Sequence, residues 1–172
     1  GYRNARVHRV SAAGDLIWEY ERGADAPGNS FGGPPGGRMH RNISMYDDKI
    51  YLNTADAHVV AIDARTGEEV WETDIDQGVG YQFSSGSIVA DGKVVSGLTG
   101  CGRYREESCY IVGLDAQTGE EIWRTSTIAL PGQRGGDTWG DLPPMFRAGS
   151  DSWIPGSYDP VTRTLFHGTS QA

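Results

Sequence analysis

The chain has 172 residues, 25 of them glycine, with 10% aromatic residues and a formal net charge of −8. Frequent glycines with regularly placed aromatic residues are typical of all-β folds with tight turns. The sequence carries no cluster of Lys and Arg, which speaks against a nucleic-acid partner, and no stretch approaches the apolar length of a membrane-spanning helix.

The two ends of the sequence indicate that it is a piece of a longer protein. The chain begins with GYRNARVHRV, inside a strand-like pattern, and stops at GTSQA without a capping element. We therefore expect further blades of a parent chain to complete the domain.

A repeated motif organises the chain. Ala61–Trp71 reads AIDARTGEEVW, Gly113–Trp123 reads GLDAQTGEEIW, and a shorter copy ends at Trp18. The repeated tryptophans therefore recur at about every fifty residues, which is the size of one four-stranded propeller blade. Because no window shows a sustained helical period, a solenoid of helical pairs is excluded.

Each copy of the motif predicts a β-hairpin. The β-branched, alternating segment His58–Asp63 is typical of a strand, and Glu68–Thr73 is the predicted return strand. Between them, Asp-Ala-x-Thr-Gly predicts a tight turn in which Gly adopts a positive φ and Asp accepts backbone N–H groups. The Trp is predicted to be buried and to donate its indole N–H to a backbone carbonyl.

Further strands are predicted at Lys49–Thr54 and at Ser87–Leu98, where Asp91-Gly92 forms the turn. The predicted fold class is all-β, with about three four-stranded blades of a β-propeller. We interpret residues 1–172 as a single partial propeller domain, with blade-closing hairpins at 10–22, 58–73 and 110–126 and further strands within 153–169.

Two cysteines, Cys101 and Cys109, flank a polar segment in CGRYREESC. This spacing allows a disulfide that closes a hairpin, and two free thiols are the alternative. A disulfide would favour an oxidising compartment.

The motif Ala-x-Asp-x-x-Thr-Gly-x-x-x-Trp resembles the tryptophan docking motif of the alcohol dehydrogenases that depend on pyrroloquinoline quinone (PQQ), of the methanol and ethanol type. Looser versions occur in non-enzymatic propellers such as the outer-membrane assembly lipoprotein. Four other segments resemble the dehydrogenases in the same order, so the resemblance covers nearly the whole chain from about residue 10. These segments are Leu16–Arg22, Gly37–Gly67, Val94–Gly100 and Thr138–Ser170.

The resemblance implies an eight-bladed propeller that holds PQQ and a Ca²⁺ or lanthanide ion in a central funnel. It implies oxidation of a small alcohol, with electrons passed to a cytochrome-type acceptor, and a periplasmic location. The general-base Asp of the family lies beyond the matching segment, so no catalytic residue is predicted within this chain.

The resemblance also implies cofactor-binding residues. Trp153 matches the Trp that stacks on the quinone, and Arg41 matches an Arg that pairs with a PQQ carboxylate. Ser84 and Thr99 match hydroxyls that hydrogen-bond PQQ carboxylates, and Gly100 would allow close backbone approach. The structural alternatives are a core Trp, a solvated loop Arg and ordinary strand hydroxyls.

Two further residues fall on family site positions with a changed side chain. Asp151 stands where the family has Thr, and we expect it to line the cofactor pocket, although a carboxylate there would repel PQQ unless a metal or an Arg intervenes. Gln171 falls on the metal-binding Asn and offers the same amide oxygen on a longer side chain.

The sequence departs from the family at two places. Pro34-Pro35-Gly36 stands where the family has adjacent cysteines, and Gly102 stands where it has a metal-binding Glu. We hypothesise that a Cys101–Cys109 disulfide reshapes the funnel mouth instead. The departures favour either a divergent enzyme or a non-catalytic propeller that binds proteins as an assembly scaffold, whereas Trp153, Arg41 and the Thr99-Gly100 pair favour the enzyme.

Overall fold

A computed structural model describes residues 6–22, 42–75, 79–101 and 109–170, in which the regular secondary structure is almost wholly β-strand. Two short 3₁₀ turns, Gly136–Trp139 and Pro144–Phe146, lie in the connection before the last two strands. None of the described residues forms a helix long and apolar enough to cross a membrane. The strands are β1 Arg6–Val10, β2 Leu16–Glu21, β3 Ser44–Tyr46, β4 Lys49–Asn53, β5 His58–Asp63, β6 Glu69–Asp74, β7 Ile88–Ala90, β8 Lys93–Gly97, β9 Tyr110–Asp115, β10 Glu121–Ser126, β11 Ser157–Asp159 and β12 Thr164–Phe166.

The strands form antiparallel sheets in chain order, which confirms the predicted all-β propeller. Two sheets have four strands each, β3-β4-β5-β6 and β7-β8-β9-β10, and two have two strands each, β1-β2 and β11-β12. The first strands of successive sheets, β3, β7 and β11, contact one another in series. Neighbouring blades therefore adjoin one another along their first strands.

The core consists of layers between sheets, because β4 and β5 bury side chains on both faces. Tyr51, Val59 and Ala61 pack towards the next four-stranded sheet, while Leu52 and Val60 pack towards β1 and β2. All five are nearly inaccessible to solvent. Side chains alternate between the two faces of a strand, so a strand between two neighbours must be apolar at consecutive positions.

The repeated turns are built as the motif predicts. Asp63 Oδ1 accepts the backbone N–H groups of Arg65 and Thr66, both at 2.8 Å, and Asp115 accepts the corresponding pair at 2.8 and 2.9 Å. These hydrogen bonds stabilise the charged carboxylate and lower the pKa of both Asp63 and Asp115. The glycine that ends each turn has a φ of +79° or +76°.

Two of the three repeated tryptophans, Trp18 and Trp71, dock on the turn of the following blade. The Trp18 indole N–H donates to the carbonyl of Ala64 at 3.2 Å, and that of Trp71 donates to Ala116 at 3.3 Å. A Cβ built on Gly119 would lie 2.6 Å from the Trp71 ring, so the turn glycine makes room for the indole. The prediction that the tryptophan donates to a backbone carbonyl is confirmed for Trp18 and Trp71, where the carbonyl belongs to the next blade, although both rings are only partly buried.

Candidate functional site

An open cavity of about 620 Å³ lies where the connection before β11 meets the chain leaving β12. Both segments are at the ends of short strands, a common position for binding residues on a rigid scaffold. The cavity is lined by Gly149, Asp151, Trp153, Ile154, Gly168, Thr169 and Ser170.

Trp153 is the largest side chain among the residues that line this cavity. It is 55% exposed, whereas the two docking tryptophans are partly buried against neighbouring turns. An indole that borders a cavity offers a planar, polarisable surface on which a flat ring system can stack. Within the described residues, Trp153 lies outside the two buried clusters of the core, and its stacking role stays a prediction.

Ser152, the residue before Trp153, holds this segment against the end of β8. Its side chain is fully buried, its N–H donates to the Leu98 carbonyl at 2.9 Å, and its hydroxyl contacts His167 Nδ1 at 3.1 Å. A Cβ built on Gly97 would lie 2.3 Å from Ser152 Oγ, so the serine fits only against a glycine. Burial lowers the pKa of His167, which opposes protonation, although a hydrogen bond with the Gly168 backbone partly offsets this effect.

Asp151 connects the cavity to the end of β8. Its Oδ1 accepts the backbone N–H groups of Gly100 at 2.8 Å and Cys101 at 3.1 Å. Its own carbonyl accepts the Ser170 N–H at 2.8 Å. The carboxylate is therefore held by two amide dipoles of one loop, while the backbone is held by the chain that leaves β12.

Thr99 lies beside this contact, on a short bridge with Gln82. The backbones of Thr99 and Gln82 exchange two hydrogen bonds, at 2.8 and 3.0 Å, and the Thr99 hydroxyl donates to the Gln82 carbonyl at 3.0 Å. Thr99 is buried, and Ser84 is half-buried two residues beyond Gln82. The structure thus brings Thr99, Gly100 and Asp151 together, with Trp153 two residues further along.

Cys101 and Cys109 form a disulfide with a Cα–Cα distance of 5.3 Å. The predicted disulfide is confirmed, and the free-thiol alternative is wrong. The sulfurs lie within 4.8 Å of an Asp151 carboxylate oxygen. Because both sulfurs are bonded to each other, Asp151 is the one anionic ligand in this cluster, and Ca²⁺ requires about six to eight oxygen ligands. The described residues alone therefore do not form a site for a hard cation.

Several residues singled out by the sequence lie outside the described ranges. They are Arg41, Gln171, Gly102 and Pro34-Pro35-Gly36. Sequence reasoning also missed the contact between Ser152, which precedes Trp153, and His167. Both residues lie within the resembling segment Thr138–Ser170, so the signal available for them is their position in that segment.

Comparison with known families gives a match over most of the chain. The family model PQQ_2, described as outer membrane protein assembly factor BamB, matches residues 2–142. The chain is 30% identical to quinohemoprotein alcohol dehydrogenase ADH-IIG of Pseudomonas putida, covering 90% of this chain and 23% of that protein. It is 28% identical to quinoprotein alcohol dehydrogenase PedH of Pseudomonas putida, covering 96% of this chain and 30% of that protein.

Solved structures give the same fold. The quinohemoprotein alcohol dehydrogenase ADHIIG from Pseudomonas putida HK5 superposes with a TM-score of 0.76 at 28% identity, over 96% of this chain and 25% of that one. A europium-containing methanol dehydrogenase shares the fold with a TM-score of 0.75 at 20% identity, over 96% of this chain and 33% of that one. The chain thus spans between a quarter and a third of these structures.

Proposed function

The chain belongs to the PQQ_2 family, and from that premise we propose that it forms one wall of the cofactor site of a PQQ-dependent alcohol dehydrogenase. The observation that carries the proposal is Trp153, a half-exposed indole beside an open cavity at the ends of short strands. The similarity to quinoprotein alcohol dehydrogenases over more than nine-tenths of the chain supports the same assignment.

In this proposal each residue has a separate task towards PQQ. Trp153 stacks against the planar ring system, and Arg41 forms a charge-assisted pair with one of the carboxylates. Ser84 and Thr99 would donate hydroxyl hydrogens to further carboxylates, which requires the Thr99 hydroxyl to leave the Gln82 carbonyl. The small residues Gly149 and Gly168 leave room at the cavity wall.

When bound, PQQ supplies the redox chemistry by accepting the two electrons and two protons that an alcohol loses on oxidation to an aldehyde. The residues of this chain bind and orient it and screen one of its faces from water. The electrons would then pass to a cytochrome-type acceptor. The general base would come from another blade, and we place the protein in the periplasm, where its disulfide is stable.

The metal of this site would be Ca²⁺ or a lanthanide ion. Within the chain, Gln171 is the proposed ligand, through its amide oxygen. Because Gly102 stands where the resembling enzymes have a Glu, most of the anionic ligands would have to come from other blades.

The second candidate function is a non-catalytic propeller that binds proteins during assembly. The description of the matching family model favours it, and so does the glycine at position 102. The similarity to quinoprotein alcohol dehydrogenases over more than nine-tenths of the chain favours the enzyme.

The test is dye-linked alcohol oxidation by the full-length protein, with PQQ and either Ca²⁺ or a lanthanide. We expect turnover that requires PQQ, falls at least about tenfold in Trp153→Ala, and is largely kept in Trp153→Phe, since one stacking contact accounts for about 1.4 kcal/mol. Trp139→Ala is the control, because Trp139 is outside the cavity lining. Failure of the wild-type protein to bind PQQ would reject the enzyme in favour of the scaffold.

A further inference from the structure

We propose that Asp151 is a positioning residue, whose carboxylate fastens the stretch at residues 98–101, which the disulfide ties to Cys109, to the segment that carries Trp153. In this role it does not bind the cofactor or a metal, although it lines the cavity. The proposal rests on the proposed function for its effect on PQQ, whereas the contact itself is tested independently below.

The contact has the geometry of an intramolecular anion site. One oxygen, Asp151 Oδ1, receives two successive backbone N–H groups, from Gly100 and Cys101. Successive amides converge in this way where one residue has a positive φ, and Gly100 has a φ of +88°. Bonds from amides to a charged acceptor are about twice as strong as bonds between neutral groups.

Backbone contacts on either side make the fastening specific to this segment. The Ser152 N–H donates to Leu98, and the Gly149 N–H donates to Cys101 at 3.4 Å. The stretch from 149 to 152 therefore runs against the loop at both of its ends. Trp153 follows directly, so the position of its ring depends on how firmly these contacts hold.

The disulfide is part of the same unit. One of the two amides that hold Asp151 belongs to Cys101, which is bonded to Cys109 at the other end of the loop. Cys109 is fully buried against the core. The disulfide thus ties the amide pair to a rigid point, and opening it should loosen the hold on Asp151.

This arrangement also explains how a carboxylate is tolerated beside a site for a tricarboxylate. The negative charge of Asp151 is turned towards two amide dipoles, which partly compensate it. In the alternative, the carboxylate serves as a metal ligand in place of the Glu absent at position 102. A metal ligand depends on the negative charge of Asp151, whereas a positioning residue depends mainly on an oxygen that accepts the two backbone hydrogen bonds.

Asp151→Asn separates these roles, because an amide oxygen accepts the same two hydrogen bonds without a charge. With the full-length protein, we measure PQQ binding by quenching of tryptophan fluorescence, with and without Ca²⁺. We expect Asp151→Asn to keep the Kd for PQQ within about threefold of wild type and Asp151→Ala to raise it about tenfold or more. Asp141→Ala, an exposed Asp in the same connection, is the control. A Ca²⁺-dependent loss in Asp151→Asn as large as in Asp151→Ala would overturn the proposal.

Hydrogen exchange at the Gly100 and Cys101 amides, measured without PQQ, tests the contact itself. We expect exchange to quicken at least about tenfold in Asp151→Ala and after reduction of the disulfide, and to quicken clearly less in Asp151→Asn, which keeps a neutral acceptor. Unchanged exchange in Asp151→Ala would overturn the proposal. If the wild-type protein binds no PQQ, the proposed function fails, while this measurement still decides the role of Asp151.

Discussion

Two loops at the same place in successive blades have diverged. Residues 54–57 connect β4 to β5, and residues 98–109 connect β8 to β9. The first is a tight turn whose polar groups bond within the turn. The Thr54 carbonyl accepts the Ala57 N–H at 3.2 Å, and the Thr54 hydroxyl donates to Asp56 at 2.6 Å. The second is longer, is closed by a disulfide, and holds Asp151.

The outer turns of the same two blades have stayed alike. Asp63 and Asp115 make the same backbone hydrogen bonds, and each turn receives a tryptophan from the preceding blade. Repetition therefore marks what holds the blades together, and the divergent loop lies beside the cavity that we propose as the cofactor site.

The largest effect is expected at the short loop, from Arg22→Ala. The guanidinium is only 10% exposed and is bonded to Asp56 at 2.7 Å and to Glu72. Removing one partner from a buried ionic cluster leaves uncompensated charge, so we expect a loss of about 3 kcal/mol in the free energy of unfolding in urea. Arg6→Ala, which breaks an exposed pair with Glu21, should cost much less than Arg22→Ala, because solvent screens exposed pairs. Equal losses would contradict a structural role for the short loop.

The same cluster makes stability depend on pH. Burial alone would raise the pKa of Asp56, but the hydrogen bonds from Arg22 and Thr54 outweigh it and lower the pKa. A carboxyl with a lowered pKa stabilises the fold above its ordinary value of about 4 and loses this contribution as the pH falls through the folded value. Arg22→Ala should therefore show a weaker decline in stability between about pH 4 and pH 2 than wild type.

The outer turns are tested by comparing two glycines with positive φ. Gly119 has a φ of +76° and its Cβ would lie 2.6 Å from the Trp71 ring, whereas Gly92 has a φ of +70° with nothing within 4 Å. We expect Gly119→Ala to cost about 3 kcal/mol and Gly92→Ala about 1 kcal/mol in thermal or urea unfolding. Similar losses in the free energy of unfolding would mean that the positive φ alone, and not the space taken by the docked tryptophan, requires a glycine at position 119.

The repeat made most of the fold predictable from the sequence. The strand predicted at His58–Asp63 has the same bounds in the structure, and the Asp91-Gly92 turn has a positive φ at both residues. These features depend on residues close in sequence. The sequence pattern does not predict the register shift between Ala61, which pairs with Trp71, and Ile62. A bulge depends on how a strand packs against its neighbours, which periodicity does not report.

The site was less predictable, because its contacts join residues far apart in the sequence. The resemblance pointed to Thr99, Gly100, Asp151 and Trp153, but not to the bond between the Asp151 carboxylate and the Gly100 amide. That bond depends on the positive φ of Gly100 and on the ends of two blades lying side by side. The Ser152 contact with His167 depends on the same juxtaposition.

A smaller effect is expected from removing the disulfide of the long loop. Its cysteines are eight residues apart in sequence, and closing a loop of this length contributes about 2 kcal/mol through the entropy of the unfolded chain. We expect the Cys101→Ser, Cys109→Ser double variant to lose about this amount in urea unfolding under oxidising conditions. Reducing agent should lower the wild-type protein to the same value and leave the double variant unchanged. A larger loss in the variant than in the reduced protein would point to a packing defect.

The smallest effect is expected at His167, behind the cavity. Burial lowers its pKa, so the unfolded chain binds a proton more readily than the folded one. The contribution is fully present above the ordinary value of about 6.5 and is lost as the pH falls below it, by less than about 1 kcal/mol because the side chain is only half-buried. His167→Asn should reduce the fall in the free energy of unfolding as the pH drops below this value. An unchanged curve in the variant would assign the pH dependence to another group.

The proposed cofactor site is tested most directly by equilibrium binding of PQQ to the full-length protein, followed by absorbance and tryptophan fluorescence. We expect wild type to bind PQQ with quenching, Trp153→Ala to raise the Kd by at least about tenfold and to lose most of the quenching, and Trp139→Ala to do neither. If Trp153→Ala and Trp139→Ala bind PQQ as wild type does, the cavity beside Trp153 is not the cofactor site.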